Sequence, residues 1–283
     1  MRVLDRRIGL VMTVVRVGLV ALMFAVLVPV CFAHQGGNVD CWLLQTQVVV
    51  DGKWSSPEEW ADASETPMVA LKGNGTAYLR TKHDSTNLYV LVDFVSSRYN
   101  LSESVQIKSL FLSFDSRHDD GTLPKNDDFQ LNAYAPKQAG DNIRWGTDKG
   151  GWEGLSGPSW ELKPESIKIE RSPNSAFDPY SMSGHLDWEV VIPLTFFNSS
   201  TVGFQVYITE GETLFGLKYP GQALVWPEGP PVTTRTNDNP TTWGDLTFSA
   251  SPIPEFPPVA VPVILAVSLA FLFYARRRLI FSR

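Results

Sequence analysis

Apolar and polar residues alternate with a period of two along most of the middle of the chain. The alternating segments include Tyr78 to His83, Leu88 to Val95, Leu110 to Phe114, Phe129 to Tyr134 and Val202 to Thr209. Short alternating runs bounded by Gly, Pro, Asn and Asp are typical of half-buried strands. No amphipathic helix of ordinary length occurs between residues 64 and 250. The pattern predicts an all-β domain, an antiparallel β-sandwich over residues 34–248.

A strand, a turn and a capped helical turn are predicted at the start of this domain. The β-branched run from Val48 to Val50 predicts a short strand, and Asp51-Gly52 predicts a turn after it. Residues 56–59, Ser-Pro-Glu-Glu, have the order of a capping box with proline at the first helical position. One helical turn should therefore begin at Pro57 and place Trp60 on a face of the core.

Both ends of the chain are apolar blocks beside basic residues. Residues 1–33 combine four arginines, an apolar run from Val17 to Val30 and a small residue at Ala33, which predicts a signal peptide, with an uncleaved anchor as the alternative. Residues 249–258 form a Pro-rich spacer, residues 259–275 predict a transmembrane helix, and residues 276–283 predict a basic cytoplasmic tail. We therefore expect an extracellular domain that is membrane-anchored at the cell surface.

The charge of the middle section narrows the choice of partners. Residues 34–275 carry 16 Lys and Arg against 29 Asp and Glu, a net charge of −13. Such a surface repels phosphate backbones, so nucleic acid is excluded as a partner. Cys31 lies in the predicted leader, and Cys41 is then the only remaining thiol, so no internal disulfide is expected.

Several motifs resemble those of carbohydrate-binding family 9-like (DOMON-like) domains. Residues 84–93, DSTNLYVLVD, resemble the family's D-x-x-x-L-Y-V hairpin, and residues 187–194, DWEVVIPL, resemble its W-x-E-x-x-I-P strand. Trp226 and the run Trp243 to Leu246 resemble its last two strands. The resemblance spans about 200 residues in the family's order. It implies a β-sandwich that binds a glycan or another cell-envelope polymer.

The end of the chain carries a second resemblance. Residues 254–257, Pro-Glu-Phe-Pro, precede the apolar run and the arginine cluster, an order similar to PEF-CTERM sorting signals of archaeal surface proteins. The resemblance implies processing by a membrane transpeptidase of the archaeosortase type. An ordinary single-pass anchor with a Pro-rich stalk is the alternative.

Sugar binding needs flat aromatic faces beside planar polar groups, because pyranose rings present C–H faces flanked by hydroxyls. The candidate ligand-binding residues are Trp145, Trp152, Trp226, Arg144 and Gln130. Trp54, Trp60, Trp188 and Trp243 are expected to pack in the core. In characterised family 9 sugar binders, an aromatic residue, a Glu, an Arg and a second Trp form the site; the matching positions here hold Val105, Phe111, Gln130 and Asn237. That particular site is not expected in this chain.

An acidic loop between two predicted strands is the densest group of oxygen ligands. Its candidate ligands for a structural Ca²⁺ are Asp115, Asp119, Asp120, Asp127 and Asp128. A solvated hairpin loop is the alternative. Three Asn-x-Ser/Thr sequons, at Asn74, Asn100 and Asn198, make glycosylation an expectation for an exported domain.

Catalytic motifs are missing from the sequence, which contains no G-x-S-x-G, H-E-x-x-H or C-x-x-C. The predicted function is therefore non-catalytic binding of a carbohydrate at the cell surface. Two alternatives stay open. One is a structural or adhesive role without a small ligand. The other is a haem-binding electron-transfer domain of the same fold, for which the axial ligands would come from Met68, Met182, His83, His118, His185 and Lys149.

Overall fold

The structure, a computed structural model, describes residues 37–97, 107–119, 121–135, 140–153, 161–173, 177–181, 184–212, 222–228 and 239–250. The chain divides into two compact units, Met1–Ala33 and His34–Arg283, and every described residue belongs to the second. The predicted signal peptide, most of the spacer, the transmembrane helix and the basic tail lie outside the described residues. Within the described part, no helix is long and apolar enough to span a membrane.

The described residues form fourteen strands and two single turns of 3-10 helix, at Leu194–Phe196 and Pro240–Thr242. The strands are β1 (Asn38–Leu43), β2 (Ser64–Pro67), β3 (Val69–Lys72), β4 (Tyr78–His83), β5 (Asn87–Phe94), β6 (Ile107–Asp115), β7 (Asp128–Ala135), β8 (Asn142–Trp145), β9 (Glu161–Leu162), β10 (Lys168–Ser172), β11 (Leu186–Pro193), β12 (Thr201–Glu212), β13 (Gln222–Trp226) and β14 (Gly244–Phe248). The predicted all-β class is confirmed for these residues.

The strands form two sheets that β1 joins. The β5 sheet has the order β10-β11-β5-β4, with β2 also paired to β4. The β6 sheet has the order β14-β12-β6-β7-β8-β9, with β13 also paired to β12 and β3 to β13. The first four residues of β1 pair with β14 and its last two residues pair with β4, both in parallel. The expectation of a purely antiparallel sandwich is therefore wrong at β1, which lies between strands that run in its own direction.

The main core lies between the two sheets. Alternate residues of the central strands face it, including Val90 and Trp188 from the β5 sheet and Leu112, Phe204 and Leu246 from the β6 sheet. Because side chains alternate across a strand, the intervening residues face outward, and many of these are polar. The period-two pattern of the sequence therefore identified the inner faces of both sheets.

The segment from residue 44 to residue 63 covers the outer face of the β5 sheet. Val48, Trp54 and Trp60 pack there against Tyr89 and Val191 in a second apolar cluster. All four tryptophans expected in the core are buried, which confirms that prediction. Residues 48–50 form no strand, so that expectation is wrong. Residues 57–62 form consecutive turns rather than a helix, closed by bonds such as Glu59 N to Ser56 O at 3.2 Å.

Charged groups tie this covering segment to the sheet. The Glu189 carboxylate of β11 accepts hydrogen bonds from Asp51 N, Gly52 N and Trp60 Nε1. Gly52 adopts a φ of 82°, as the predicted turn requires, and a Cβ there would lie 2.3 Å from the backbone nitrogen of Arg171. The turn residue Gly52 is therefore required both for its backbone angle and for its close approach to β10.

Candidate functional site

A row of polar side chains crosses the outer face of the β6 sheet. Gln205, Ser113, Gln130 and Arg144 occupy matching register positions on β12, β6, β7 and β8. Gln130 Nε2 donates to Ser113 Oγ at 2.6 Å, and Arg144 Nε donates to Gln130 Oε1 at 2.9 Å. The Arg144 guanidinium lies 4.2 Å from the centre of the Trp152 ring. The structure thus brings together three of the predicted ligand-binding residues, Gln130, Arg144 and Trp152.

The side chains of this polar row bond to one another. Gln130, Ser113 and Arg144 are all buried, and both ends of the Gln130 amide already have partners within the row. Buried polar groups that satisfy each other stiffen a sheet and keep little hydrogen-bonding capacity for a ligand. Trp152 is half-buried and covers Arg144. We therefore infer that this polar row has a structural role and fixes the register of these strands.

Trp145 lies on the opposite side of β8 from Arg144. Its ring packs against Phe129, with centroids 5.5 Å apart, and against Phe196, with centroids 6.1 Å apart and ring planes 14° from parallel. Adjacent residues on a strand face opposite sides, so the two candidates 144 and 145 could not serve one site through their side chains. Phe196 belongs to the 3-10 turn that follows β11.

Trp145 and Phe196 form the apolar wall of a pocket of about 400 Å³ at the edge of the sandwich. Its lining residues are Ser116, Arg117, Asn126, Asp127, Trp145, Thr195, Phe196 and Asn198. Four of them, Arg117, Asn126, Thr195 and Asn198, have exposed side chains, so the pocket is open to solvent. Two near-parallel rings facing amide, guanidinium and carboxylate groups give this pocket both an apolar and a hydrogen-bonding side.

Three carboxylates meet beside this pocket, where β6 ends and β7 begins. Asp115, Asp127 and Asp128 each bring one oxygen to within 4.8 Å of the others. Asp115 Oδ2, Asp128 Oδ1 and both Asp127 oxygens accept no hydrogen bond among the described residues. Burial raises the pKa of Asp128 to about 8 and also raises the pKa of Asp115, with the neighbouring carboxylates adding to both shifts. Orphaned buried oxygens of this kind fit an oxygen-ligated cation such as Ca²⁺.

The other two predicted calcium ligands do not join this group. Asp119 is exposed and pairs with Lys125, whose Nζ lies 2.6 Å from Asp119 Oδ1, and its role as a calcium ligand stays a prediction. Asp120 lies outside the described residues. Arg117 Nε lies 4.0 Å from Asp127 Oδ2 and is the guanidinium that faces the cluster from the pocket side.

Trp226 is buried in the main core and packs against Phe204, with centroids 5.6 Å apart. The expectation that its ring is exposed for ligand binding is wrong, because β13 turns this residue inward. Among the sequons, Asn74 and Asn198 are exposed and Asn100 lies outside the described residues. Glycosylation at these positions stays a prediction.

The histidines considered as haem ligands have partners inside the protein. The two ring nitrogens of His83 lie 2.8 Å from the carbonyl oxygens of Asp84 and Ser249. His118 Nε2 lies 2.9 Å from Asp245 Oδ1, and His185 is buried among carboxylates. Met182 lies outside the described residues. No feature of the described residues favours the haem alternative over the pocket.

Six of the eight lining residues were not among the predicted ligand-binding or metal-binding residues: Ser116, Arg117, Asn126, Thr195, Phe196 and Asn198. Phe196 follows Pro193 in a single 3-10 turn, where neither a period of two nor a period of 3.6 indicates its direction. Asn126 and Asn198 lie on two loops that are 72 positions apart in the chain and meet only in the folded domain. A run of Asn, Asp and Ser at strand ends was the available signal, and it is common in ordinary turns.

Comparison with known proteins gave no match to any family model and no significant match to a curated protein. The solved structures similar to this chain include two of a carbohydrate binding module family 9 protein from Caldicellulosiruptor kristjanssonii. The complex with cellotriose has 14% sequence identity and a TM-score of 0.48, and the complex with glucose has 13% and 0.47. Each match covers 78% of this chain and 100% of the other.

Proposed function

We propose that this protein is a non-catalytic carbohydrate-binding protein and that the pocket walled by Trp145 and Phe196 holds a sugar unit of its ligand. The observation that carries this proposal is the pocket itself. A volume of about 400 Å³ lies within the roughly 300–1,000 Å³ of small-molecule sites, and it accommodates one or two sugar rings. This pocket is therefore the place that we propose for the glycan or cell-envelope polymer of the sequence prediction.

The pocket offers the two kinds of contact that a pyranose ring needs. The partly buried indole of Trp145, stacked on Phe196, would supply apolar ring surface for the C–H side of a sugar ring. The exposed amides of Asn126 and Asn198 and the guanidinium of Arg117 supply planar donors and acceptors for the ring hydroxyls.

The same lining favours binding over hydrolysis. Glycosidases use two carboxylates that flank the scissile bond. Of the eight lining residues, Asp127 is the one with a carboxylate. Its neighbours Asp115 and Asp128 do not line the pocket and gather with it at a single point instead.

We also propose that Asp115, Asp127 and Asp128 hold a Ca²⁺ ion beside the pocket. The ion would neutralise the three carboxylates and fix Asp127, which belongs to both the cluster and the pocket wall. Calcium would then be required for full glycan affinity as well as for stability. The remaining oxygen ligands, to reach the six to eight that Ca²⁺ takes, would be backbone carbonyls, water or the sugar itself.

A glycan array with the purified full-length chain, with and without Ca²⁺, tests the proposal. We expect W145A to lower the affinity for the retained glycan by about tenfold, the size of one aromatic stacking contact. N126A should weaken binding without removing any core packing. W152A is the matched control, because its indole lies outside the pocket, and its affinity should equal that of the wild type.

Retention of no glycan by the wild-type chain in either condition would defeat the proposal and leave the structural or adhesive role. If W152A abolished binding and W145A did not, the polar row would be the binding site and the pocket assignment would be wrong. Circular dichroism of each variant distinguishes lost binding from lost folding.

The cellular setting is proposed from the sequence. Export by the signal peptide, anchoring by residues 259–275 and processing by an archaeosortase-type enzyme would present the domain outside the cell. Mass spectrometry of the mature protein from its natural membrane tests this, because loss of residues 259–283 supports processing and their retention supports an ordinary anchor.

A further inference from the structure

A histidine and three aspartates meet on the outer face of the β5 sheet, far in sequence from the acidic loop. Asp93 on β5 and Asp187 on β11 are directly opposite each other in the register. His185 precedes β11, and Asp178 belongs to residues 177–181, which lie over this end of the sheet. The side chains of all four are at most 2% exposed.

The four side chains converge on one nitrogen. His185 Nε2 lies 2.8 Å from Asp93 Oδ1, 3.3 Å from Asp178 Oδ2 and 3.4 Å from Asp187 Oδ1. Ligand atoms of Asp93, His185 and Asp187 all lie within 4.8 Å of one another. An imidazole nitrogen carries at most one proton, so it can donate to only one of these carboxylates.

The charge of this cluster calls for a cation. Among the described residues, three ionised carboxylates and one imidazolium would leave this buried site a net charge of −2, which is costly without a compensating ion or proton. The charged groups that act most on Asp93 are His185, Asp187 and Asp178 themselves. Asp93 Oδ2, on a fully buried side chain, accepts no hydrogen bond among the described residues. An unpartnered buried oxygen next to excess negative charge points to a missing positive ligand.

The distances suit a particular class of ion. Zinc binds imidazole nitrogen and carboxylate oxygen at about 2.0–2.2 Å in tetrahedral geometry, which places neighbouring ligand atoms roughly 3.3 Å apart. The separations of 3.3 and 3.4 Å from His185 Nε2 match this spacing, and the 2.8 Å separation needs only a small opening. An imidazole ligand also favours a transition metal over calcium, which prefers oxygen throughout.

We infer that Asp93, His185 and Asp187 hold a divalent transition metal, with zinc as the ion to test, and that Asp178 is the fourth ligand. Asp178 already accepts Tyr180 N at 2.9 Å and Ser181 N at 2.7 Å, so its carboxylate organises the segment around it. The Tyr180 ring stacks on Tyr78 of β4 with centroids 3.7 Å apart. The metal would therefore clamp residues 177–181 onto the β5 sheet, a structural role that is independent of glycan binding.

The test measures metal content and metal-dependent stability in the full-length chain. After dialysis against zinc-containing and then metal-free buffer, elemental analysis should find about one zinc per chain in the wild type and less than about a tenth of that in H185Q and D93N. D148N, an exposed carboxylate, is the control and should retain the zinc. Replacement by Co²⁺ should give the visible absorption bands of a tetrahedral cobalt site in the wild type and not in H185Q.

Adding each metal separately to chelator-treated variants of the two sites distinguishes this site from the calcium cluster. Adding ZnCl₂ to chelator-treated protein should raise the melting temperature of the wild type and of D127N but not of H185Q. Adding CaCl₂ should raise it for the wild type and for H185Q but not for D127N. The inference is overturned if the wild type retains no zinc, in which case protonated His185 alone is the counter-ion, or if H185Q and D93N, folded by circular dichroism, retain zinc as well as the wild type does.

Discussion

Lys82 is the buried cation that holds the segment over the β5 sheet in place, and replacing it is the sharpest test of how this fold is stabilised. Its side chain is 0% exposed, and its Nζ donates to Asp62 Oδ1 at 2.7 Å, to Thr46 O at 2.9 Å and to Glu59 O. Burial lowers the pKa of Lys82, whereas the hydrogen bond that Lys82 donates to Asp62 opposes this shift. Each of its three donors therefore has an acceptor on the covering segment.

The substitution K82M keeps an unbranched apolar side chain and removes the ammonium group. It leaves the Asp62 carboxylate, 11% exposed, without its cation, and two backbone carbonyls without a donor. Breaking one side of a buried ion pair costs about 3–5 kcal/mol. For a domain of this size the melting temperature should fall by about 6–20 °C, since each kcal/mol corresponds to about 2–4 °C.

Urea unfolding followed by tryptophan fluorescence measures this loss, since Trp54 and Trp60 lie within the affected segment. The matched control is K53M, because Lys53 pairs with Asp51 at 3.6 Å with both side chains at least a third exposed, and such pairs contribute less than about 1 kcal/mol. The double variant K82M/D62N should regain more than about 1 kcal/mol relative to the sum of the single losses. A K82M variant within about 1 kcal/mol of the wild type would refute the reasoning.

Three further predictions concern the remaining buried charges. The calcium-free wild type should melt about 5–10 °C below the calcium-saturated wild type. The melting temperature of D128N should be the same with and without calcium. Burial raises the pKa of Glu189 to about 7, so the folded state holds this proton more tightly than the unfolded chain does. Stability should therefore fall as the pH rises from about 4.5 to 7, and E189Q should show a smaller fall in urea titrations at each pH. Arg171 lies 2.6 Å from the buried Asp141, so R171M should lose about 3 kcal/mol by chemical unfolding, and a loss below about 1 kcal/mol would contradict a buried pair.

The alternation of residues was enough to find the sheets because both inner faces are continuously apolar. Leu88, Val90, Val92 and Phe94 face the core from one strand, and Tyr89 and Leu91 face the covering segment. Period two holds on such a strand whatever its partners are. The same local pattern cannot distinguish parallel from antiparallel pairing, and this is why the two parallel partners of β1 were not foreseen.

The residues of the site were harder to predict, because their positions depend on contacts between distant segments. Trp145 and Trp152 were both candidates, but only the fold shows that one faces a pocket and the other covers Arg144. Trp226 was predicted to be exposed because the segment that follows it is rich in Pro and Gly, a composition typical of exposed turns. Its pairing opposite Val206 instead directs the side chain into the core. The cluster around His185 was missed because its ligands come from three segments with no shared motif.

The six residues of β1 protect this domain from strand exchange between chains. They fill the space between β4 and β14, so removing them would uncover the hydrogen-bonding edges of two strands at once. Exposed edges accept a strand from any neighbouring chain that can supply one. A chain that has lost β1 by proteolysis could therefore accept the β1 strand of an intact chain. Limited proteolysis near the start of the domain should then yield strand-exchanged dimers rather than shorter monomers.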